Sequence, residues 1–195
     1  YREHLSINPD DADAAAHLIV LLLSRGATEE ARPYAERLQR LPAARFTPEL
    51  AYLIAAFHEQ VGDYRTAIRS MERHLLAGRP RTPLPFLKLA SYHIALRQYR
   101  PAERILLRTM RDFDSPDARR MLVHLYLDTR RYRKAEKLLL ALERTQQQPE
   151  RVDFLLAHCY DRLGNFAAAE QRLLRALERD PDDHEVLNYL GYSYA

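Results

Sequence analysis

Gly164-Asn165-Phe166-Ala167-Ala168-Ala169 decides the fold, because variants of it recur along the chain. Gly62-Asp63-Tyr64-Arg65-Thr66-Ala67, Arg97-Gln98-Tyr99-Arg100-Pro101-Ala102 and Arg130-Arg131-Tyr132-Arg133-Lys134-Ala135 repeat one order: a turn, an aromatic ring, then alanine. Gly26-Ala27-Thr28-Glu29-Glu30-Ala31 is a degenerate copy. The closing alanines at 31, 67, 102, 135 and 169 are 36, 35, 33 and 34 residues apart, a period that signals stacked supersecondary units.

Working outward from each copy, an amphipathic pattern lies on both sides. Phe154-Leu155-Leu156-Ala157-His158-Cys159-Tyr160 precedes the fifth turn and Leu173-Leu174-Arg175-Ala176-Leu177 follows it, both with helical spacing. Each unit is therefore predicted to be a helical hairpin. Composition agrees: there are five glycines in 195 residues, no Asn-Gly or Asp-Gly hairpin signal, and an abundance of Ala, Leu, Arg and Glu, which are at low cost in helices.

These units resemble the tetratricopeptide repeat family, which has small residues at the eighth, twentieth and twenty-seventh places and a proline near the thirty-second. The fifth copy fits best, with Ala157, Ala169, Ala176 and Pro181 in those places and Tyr160 at the eleventh. Small residues let the two helices cross closely, and the aromatic near the turn is expected to seal each hairpin against its neighbour. The resemblance implies an all-α, right-handed α-solenoid with repeats at 12–47, 48–82, 83–115, 116–149 and 150–183. Residues 1–11 match the end of a preceding second helix, and 184–195 a first helix alone. The eighth place departs from a small residue in two copies, Ile19 and Val123, alongside Ala55 and Ala90.

Prolines mark boundaries. Thr47-Pro48 and Ser115-Pro116 set a capping hydroxyl before a first-turn proline that needs no intrahelical donor. Pro33 is expected to kink its helix or delay its start, and Pro80 to Pro85 to form the longest connection between repeats. The cut repeats predict that the chain is a fragment lacking its native N-terminus. Its uncapped terminal surfaces predict flanking repeats and end-to-end self-association.

Function classes can be narrowed. No apolar run is long enough to cross a bilayer, and no charged segment, apolar stretch and cleavage site open the chain. Cys159, the one cysteine, excludes an internal disulfide. No phosphate-cradling glycine loop, His-Glu-x-x-His or Gly-x-Ser-x-Gly occurs, so no catalytic residue and no cofactor are expected. His124 and His158 hold equivalent places in adjacent repeats without a third ligand to recur beside them, so no metal is expected either. Cys159 is read as core, and His58 and His93 as packing residues with one ring nitrogen satisfied.

The family binds ligands on the face carried by the first helix of each hairpin. Carried over copy by copy, the resemblance names Tyr52, Ala56 and Glu59; Leu87, Ser91 and Ile94; Arg120, His124 and Leu127; Phe154, His158 and Arg162; and Asn188 and Tyr192. Apolar anchors beside Arg120, Arg151 and Arg162 suit a peptide or protein with apolar side chains and some acidic character. Leu87 and Leu127 are equally readable as packing between repeats. The chaperone-tail clamp of the family places lysine and asparagine where Tyr52 and Ala56, or Leu87 and Ser91, stand here, so that ligand is not expected.

The net charge is +3, and Arg97 to Lys137 holds twelve basic residues against six acidic ones. Arg104, Arg108 and Arg111 fall on second helices with solvated outer faces, so RNA is a third reading behind a protein-binding scaffold and the recruiting arm of a larger enzyme. Glu185-Val186-Leu187-Asn188-Tyr189-Leu190-Gly191-Tyr192-Ser193 resembles a repeat of bacterial periplasmic tetratricopeptide lipoproteins, which suggests an outer-membrane-associated location.

Overall fold

A computed structural model describes residues 1–8, 10–42, 47–78, 80–144 and 149–193, apart from the side chains at 2, 4, 6, 74, 76–78, 149, 150, 192 and 193. Twelve helices and no strand occur among the described residues. A first helix, α1 (Arg2–Ile7), precedes five hairpins: α2 (Ala12–Ser24) with α3 (Thr28–Gln39), α4 (Pro48–Gln60) with α5 (Tyr64–Gly78), α6 (Leu84–Ala95) with α7 (Tyr99–Phe113), α8 (Pro116–Asp128) with α9 (Tyr132–Arg144), and α10 (Pro149–Arg162) with α11 (Phe166–Arg179). The last helix is α12 (His184–Ser193). The chain divides into two compact units, Tyr1–Ala118 and Arg119–Ala195.

The same turn closes all five hairpins. The amide just past each turn donates to the carbonyl five residues back: Ala27 to Leu22, Asp63 to His58, Gln98 to His93, Arg131 to Tyr126 and Asn165 to Tyr160, at 2.7–2.9 Å. Such a closure needs a left-handed residue before it. Gly26, Gly62 and Gly164 supply it at φ 71°, 75° and 79°, whereas Arg97 and Arg130 are held there at 55° and 56°. A side chain in that region costs about 1 kcal/mol, so two of the five turns are strained and are held by the packing around them.

The small residues do what their size predicts. Ala55, Ala90 and Ala157 in the first helices are buried, as are Ala31, Ala67, Ala102, Ala135 and Ala169 in the second. Ile19 and Val123 are buried too, so a larger side chain is accommodated at those crossings. In the first unit, Ala15, Leu18, Ile19 and Leu22 of α2 share a core with Ala35 and Leu38 of α3 and with Ile54 and Phe57 of α4. Each buried Leu or Ile there contributes on the order of 2 kcal/mol. In the second unit, Ala157 of α10 packs with Ala169, Leu173 and Ala176 of α11 and Val186 and Leu190 of α12.

Both predicted caps are present: Thr47 Oγ1 accepts from the Leu50 amide and Ser115 Oγ from the Ala118 amide. Three expectations need correction. α3 begins at Thr28 and runs through Pro33, so of the two expected effects of Pro33 the late start does not occur. The carbonyl that Pro33 leaves without a donor belongs to Glu29, on an exposed turn where water can reach it. α6 begins at Leu84 with Pro83 as its cap, so the Pro80–Pro85 stretch is partly helix; Pro83 and Pro85 sit where a missing amide donor is harmless. Phe166 does not seal its hairpin and is 68% exposed. Tyr64, at the equivalent place, meets Tyr92 of the next repeat with ring centroids 6.1 Å apart.

Candidate functional site

The first helices of the hairpins differ in chemistry along the chain. Charged residues number one in α2, two in α4 and one in α6, but four in α8 and five in α10. A helix packed on several sides must be apolar nearly all round, and α2 and α4 go further: they expose apolar groups as well. Between them lies an open groove of about 650 Å³. Its α2 wall is Ala12, Asp13, Ala16 and Val20, and its other wall is Thr47 with Glu49, Leu50, Tyr52, Leu53 and Ala56 of α4. Val20 is 54% exposed. Tyr52 and Ala56, two of the positions named from the resemblance, line this cleft, and the α2 residues opposite them went unnamed. The signal was readable in Ala12, Ala16 and Val20, a four-residue repeat of short apolar side chains on one helix face.

Other named residues face inward to the protein itself. Glu59 accepts both contacts of the Lys88 ammonium at 2.8 Å and a 2.9 Å bond from the Tyr92 hydroxyl. It therefore ties α4 to α6. Burial and then this carboxylate push the Tyr92 phenol well above its usual range. Leu87 is buried, with 9% of its surface exposed, which fits packing between repeats. Ser91 Oγ donates to the Lys88 carbonyl at 2.7 Å, a bond within its own helix turn.

In the second unit the named residues form an aromatic and histidine cluster. The His158 ring lies edge-on to Tyr132 at 6.0 Å and to Tyr189 at 6.3 Å, and Tyr189 is edge-on to Phe154 at 5.9 Å. Burial, and then the neighbouring Arg162 charge, hold His158 below its ordinary pKa. Arg162 Nε donates to His158 Nε2 at a long 3.4 Å. The Tyr189 hydroxyl donates to Asp161 at 2.9 Å; burial and that carboxylate raise the phenol to about 12. Arg151 is bonded to Glu185 at 2.9 Å. Arg120, His124 and Asn188 are exposed, and the Tyr192 side chain lies outside the described residues. Two tyrosines, Tyr132 and Tyr189, flank the His158 ring.

Sequence reasoning missed a second cluster in this unit. Asp153 of α10 is buried and accepts from Arg172 at 2.8 Å and Arg179 at 2.5 Å, with Arg175 at 3.5 Å. Glu143 of α9 accepts from Arg172 at 2.6 Å and Arg175 at 2.7 Å. Burial pulls the Arg172 pKa down, but the bonds to Glu143 and Asp153 outweigh it and keep the group firmly charged. The Arg172 bond, ahead of burial, holds Glu143 below its ordinary carboxylate range. The network braces three helices. The spacing of Arg172, Arg175 and Arg179 on one stripe of α11 was the clue to it.

Cys159 is buried and its thiol is pushed up to about 12 by burial, so it is inert at neutral pH. His93 Nδ1 pairs with Gln98 Oε1 at 2.7 Å, and Gln39 Nε2 donates to His58 Nε2 at 2.5 Å. No group of three metal-ligating side chains forms, and no helix is long and apolar enough to cross a membrane, among the described residues. Arg108 and Arg111 on α7 are exposed and bonded to Asp112.

The comparisons follow this geometry. Residues 50–84 and 150–193 each match a family model described as "Tetratricopeptide repeat". No curated protein matches the chain. Among solved structures the chain is similar to YrrB, described as a TPR protein with an unusual peptide-binding site, at 18% identity over 97% of each chain with a TM-score of 0.73. It is similar to MamA at 15% identity over 89% of this chain and 94% of that one, TM-score 0.74. MamA 41-end from Desulfovibrio magneticus RS-1 gives 17%, 90% and 98%, and 0.72. Residues 50–84 and 150–193 thus match tetratricopeptide repeat models, in a chain whose fold is that of tandem helical hairpins.

Proposed function

We propose that this chain is a protein-interaction scaffold that seats a partner peptide or protein on the face formed by the first helices of its hairpins, without catalysing a reaction. One observation carries this reading: α2 and α4 leave an open apolar groove of about 650 Å³, within the size range of ligand clefts. Among the described residues this groove is the surface where apolar side chains of two first helices face each other across an open cleft. The fold shared with YrrB, a protein with a peptide-binding site by its description, agrees with a peptide as the partner class.

Two narrower proposals accompany it. The Glu185–Ser193 nonapeptide supports an outer-membrane-associated periplasmic location in a bacterium. Exposed Ile7 and Leu187 support end-to-end self-association, which light scattering over a concentration series would detect as a rising mass.

The test uses the chain as bait in extract of its own cell, with and without nuclease, against Tyr52→Ala plus Phe154→Ala. The expected result is a stoichiometric, nuclease-resistant partner that the double variant loses. Capture that nuclease abolishes and the substitutions leave intact would replace this reading with RNA binding.

A further inference from the structure

An open cleft of about 380 Å³ lies within the second unit, lined by Arg130, Arg131, Tyr132, Arg133 and Lys134 where α8 turns into α9, and by Leu163 from the turn after α10. Four cations thus stand within five residues, and no carboxylate lines the cleft. Asp128 and Glu136, the nearest acids in sequence, are outside the lining. The cations are of two kinds. Arg131 and Lys134 hold partners inside the protein, with their charged ends over the Tyr126 ring at 4.7 and 5.3 Å from its centroid. Arg130 and Arg133 are exposed and form no ion pair among the described residues. All six lining residues and their chain neighbours lie within the described residues.

The hairpin itself does not ask for these two arginines. Arg130 is held at φ 56°, where three of the other turns place glycine, a residue that takes this conformation at no steric cost. Arg133 adds a like charge beside it, and like charges this close repel. We propose that the cleft binds an acidic peptide segment, with Arg130 and Arg133 each taking an aspartate or glutamate carboxylate and Leu163 an apolar side chain next to them. The lining selects that class. A guanidinium is a planar fork that grips a carboxylate through two parallel bonds, and arginine clusters are a recurring means of reading acidic motifs. Alternate side chains of an extended peptide project on one side about 7 Å apart, a spacing that two long side chains three residues apart can bracket. Leu163 is 39% exposed and offers an apolar contact that a sugar–phosphate backbone does not use. Tyr132, the one ring in the lining, is already edge-on to His158 at 6.0 Å, whereas single-stranded nucleic acid relies on rings that its bases stack on. The site goes beyond the first-helix scaffold reading and does not depend on it.

Fluorescence anisotropy on the full chain tests this with short labelled probes: glycine–serine peptides carrying Glu-Leu-Glu, Lys-Leu-Lys or Glu-Ser-Glu, and an oligouridylate. The wild type is expected to bind the Glu-Leu-Glu probe about tenfold more tightly than Lys-Leu-Lys and about threefold more tightly than Glu-Ser-Glu. Arg130→Gly with Arg133→Gln, which suits the turn and keeps the helix, should weaken Glu-Leu-Glu binding about fivefold. Arg130→Lys with Arg133→Lys should retain part of it, and Leu163→Gln should remove the advantage over Glu-Ser-Glu. Arg100→Gln with Arg104→Gln on α7 makes the same charge change outside the cleft and should leave binding unchanged. An equal loss in that control would reduce the effect to bulk charge and overturn the inference. Oligouridylate binding as tight as that of Glu-Leu-Glu, lost in Arg130→Gly with Arg133→Gln, would overturn it in favour of nucleic acid. No binding of the Glu-Leu-Glu probe, or binding indifferent to the cleft substitutions, would overturn it outright. The α2–α4 groove stands or falls separately, by the bait experiment above.

Discussion

The two units share one hairpin architecture and spend their polar residues differently. In the first, α2, α4 and α6 are nearly free of charge, the apolar groove is open, and one ion pair with a tyrosine, Glu59 with Lys88 and Tyr92, ties α4 to α6. In the second, α8 and α10 are charged, a buried aspartate gathers three arginines, and the named face is a histidine among aromatic rings. The difference teaches that the repeat specifies where helices cross, through small residues and a turn, and leaves the remaining positions open to chemistry. An ion-pair brace, as around Asp153, and an open cleft, as between α2 and α4, thus occur on the same kind of helix face.

The largest expected effect breaks the second unit's brace. Asp153→Ala leaves Arg172 and Arg179 short of a buried counter-charge, and loss of one partner from such a network costs about 3–5 kcal/mol. Urea unfolding followed by hydrogen exchange should show the loss in α10 and α11 first. A cost below about 1 kcal/mol would mean that Asp153 is dispensable there. In the first unit, Glu59→Leu strands the Tyr92 hydroxyl and the Lys88 ammonium, at a cost of about 1–3 kcal/mol in the same assay, centred on α4 and α6.

Turns sharpen the comparison on a smaller scale. Arg97→Gly and Arg130→Gly each relieve a left-handed side chain while adding unfolded-chain freedom, so each should stabilise by about 0.5 kcal/mol. Gly62→Ala should destabilise by about 0.5 kcal/mol, the left-handed cost being partly offset by lost unfolded-chain freedom, although its added Cβ meets nothing within 4 Å. Equal and opposite results would show that the turn conformation itself, rather than contacts, separates the two kinds of hairpin.

Acid should act on the second unit through His158 and Glu143. His158 has a folded pKa below its unfolded value, so its contribution is complete above about pH 6.5 and falls as pH drops through that value. Glu143 is also depressed, so its contribution holds above about pH 4.3 and is lost below. Unfolding midpoints from pH 8 to 5 should decline in the wild type and decline less in His158→Phe.

Much of this was legible before any coordinates. The 34-residue period located five hairpins because the turn and the alanines are local requirements, satisfied within a few residues of sequence. Thr47-Pro48 and Ser115-Pro116 announced their caps for the same reason. Phe166 was misread, since whether a turn aromatic is covered depends on a residue one repeat away, as Tyr92 meets Tyr64. Glu59 and Leu87 carried groove positions but were claimed by Lys88, Tyr92 and the core, long-range outcomes that no single helix pattern reveals. Pro33 looked disruptive because its cost was counted without the exposed turn that absorbs it.

The central claim is that the first-helix face of the first unit meets the partner. A photo-crosslinking residue placed at Val20 or Tyr52, against Leu107 on α7 and Leu174 on α11 as exposed positions on second helices, tests it in the protein's own cell. The account predicts one shared partner adduct from positions 20 and 52 and none from 107 or 174. Adducts to the same partner from 107 or 174, with 20 and 52 silent, would contradict it.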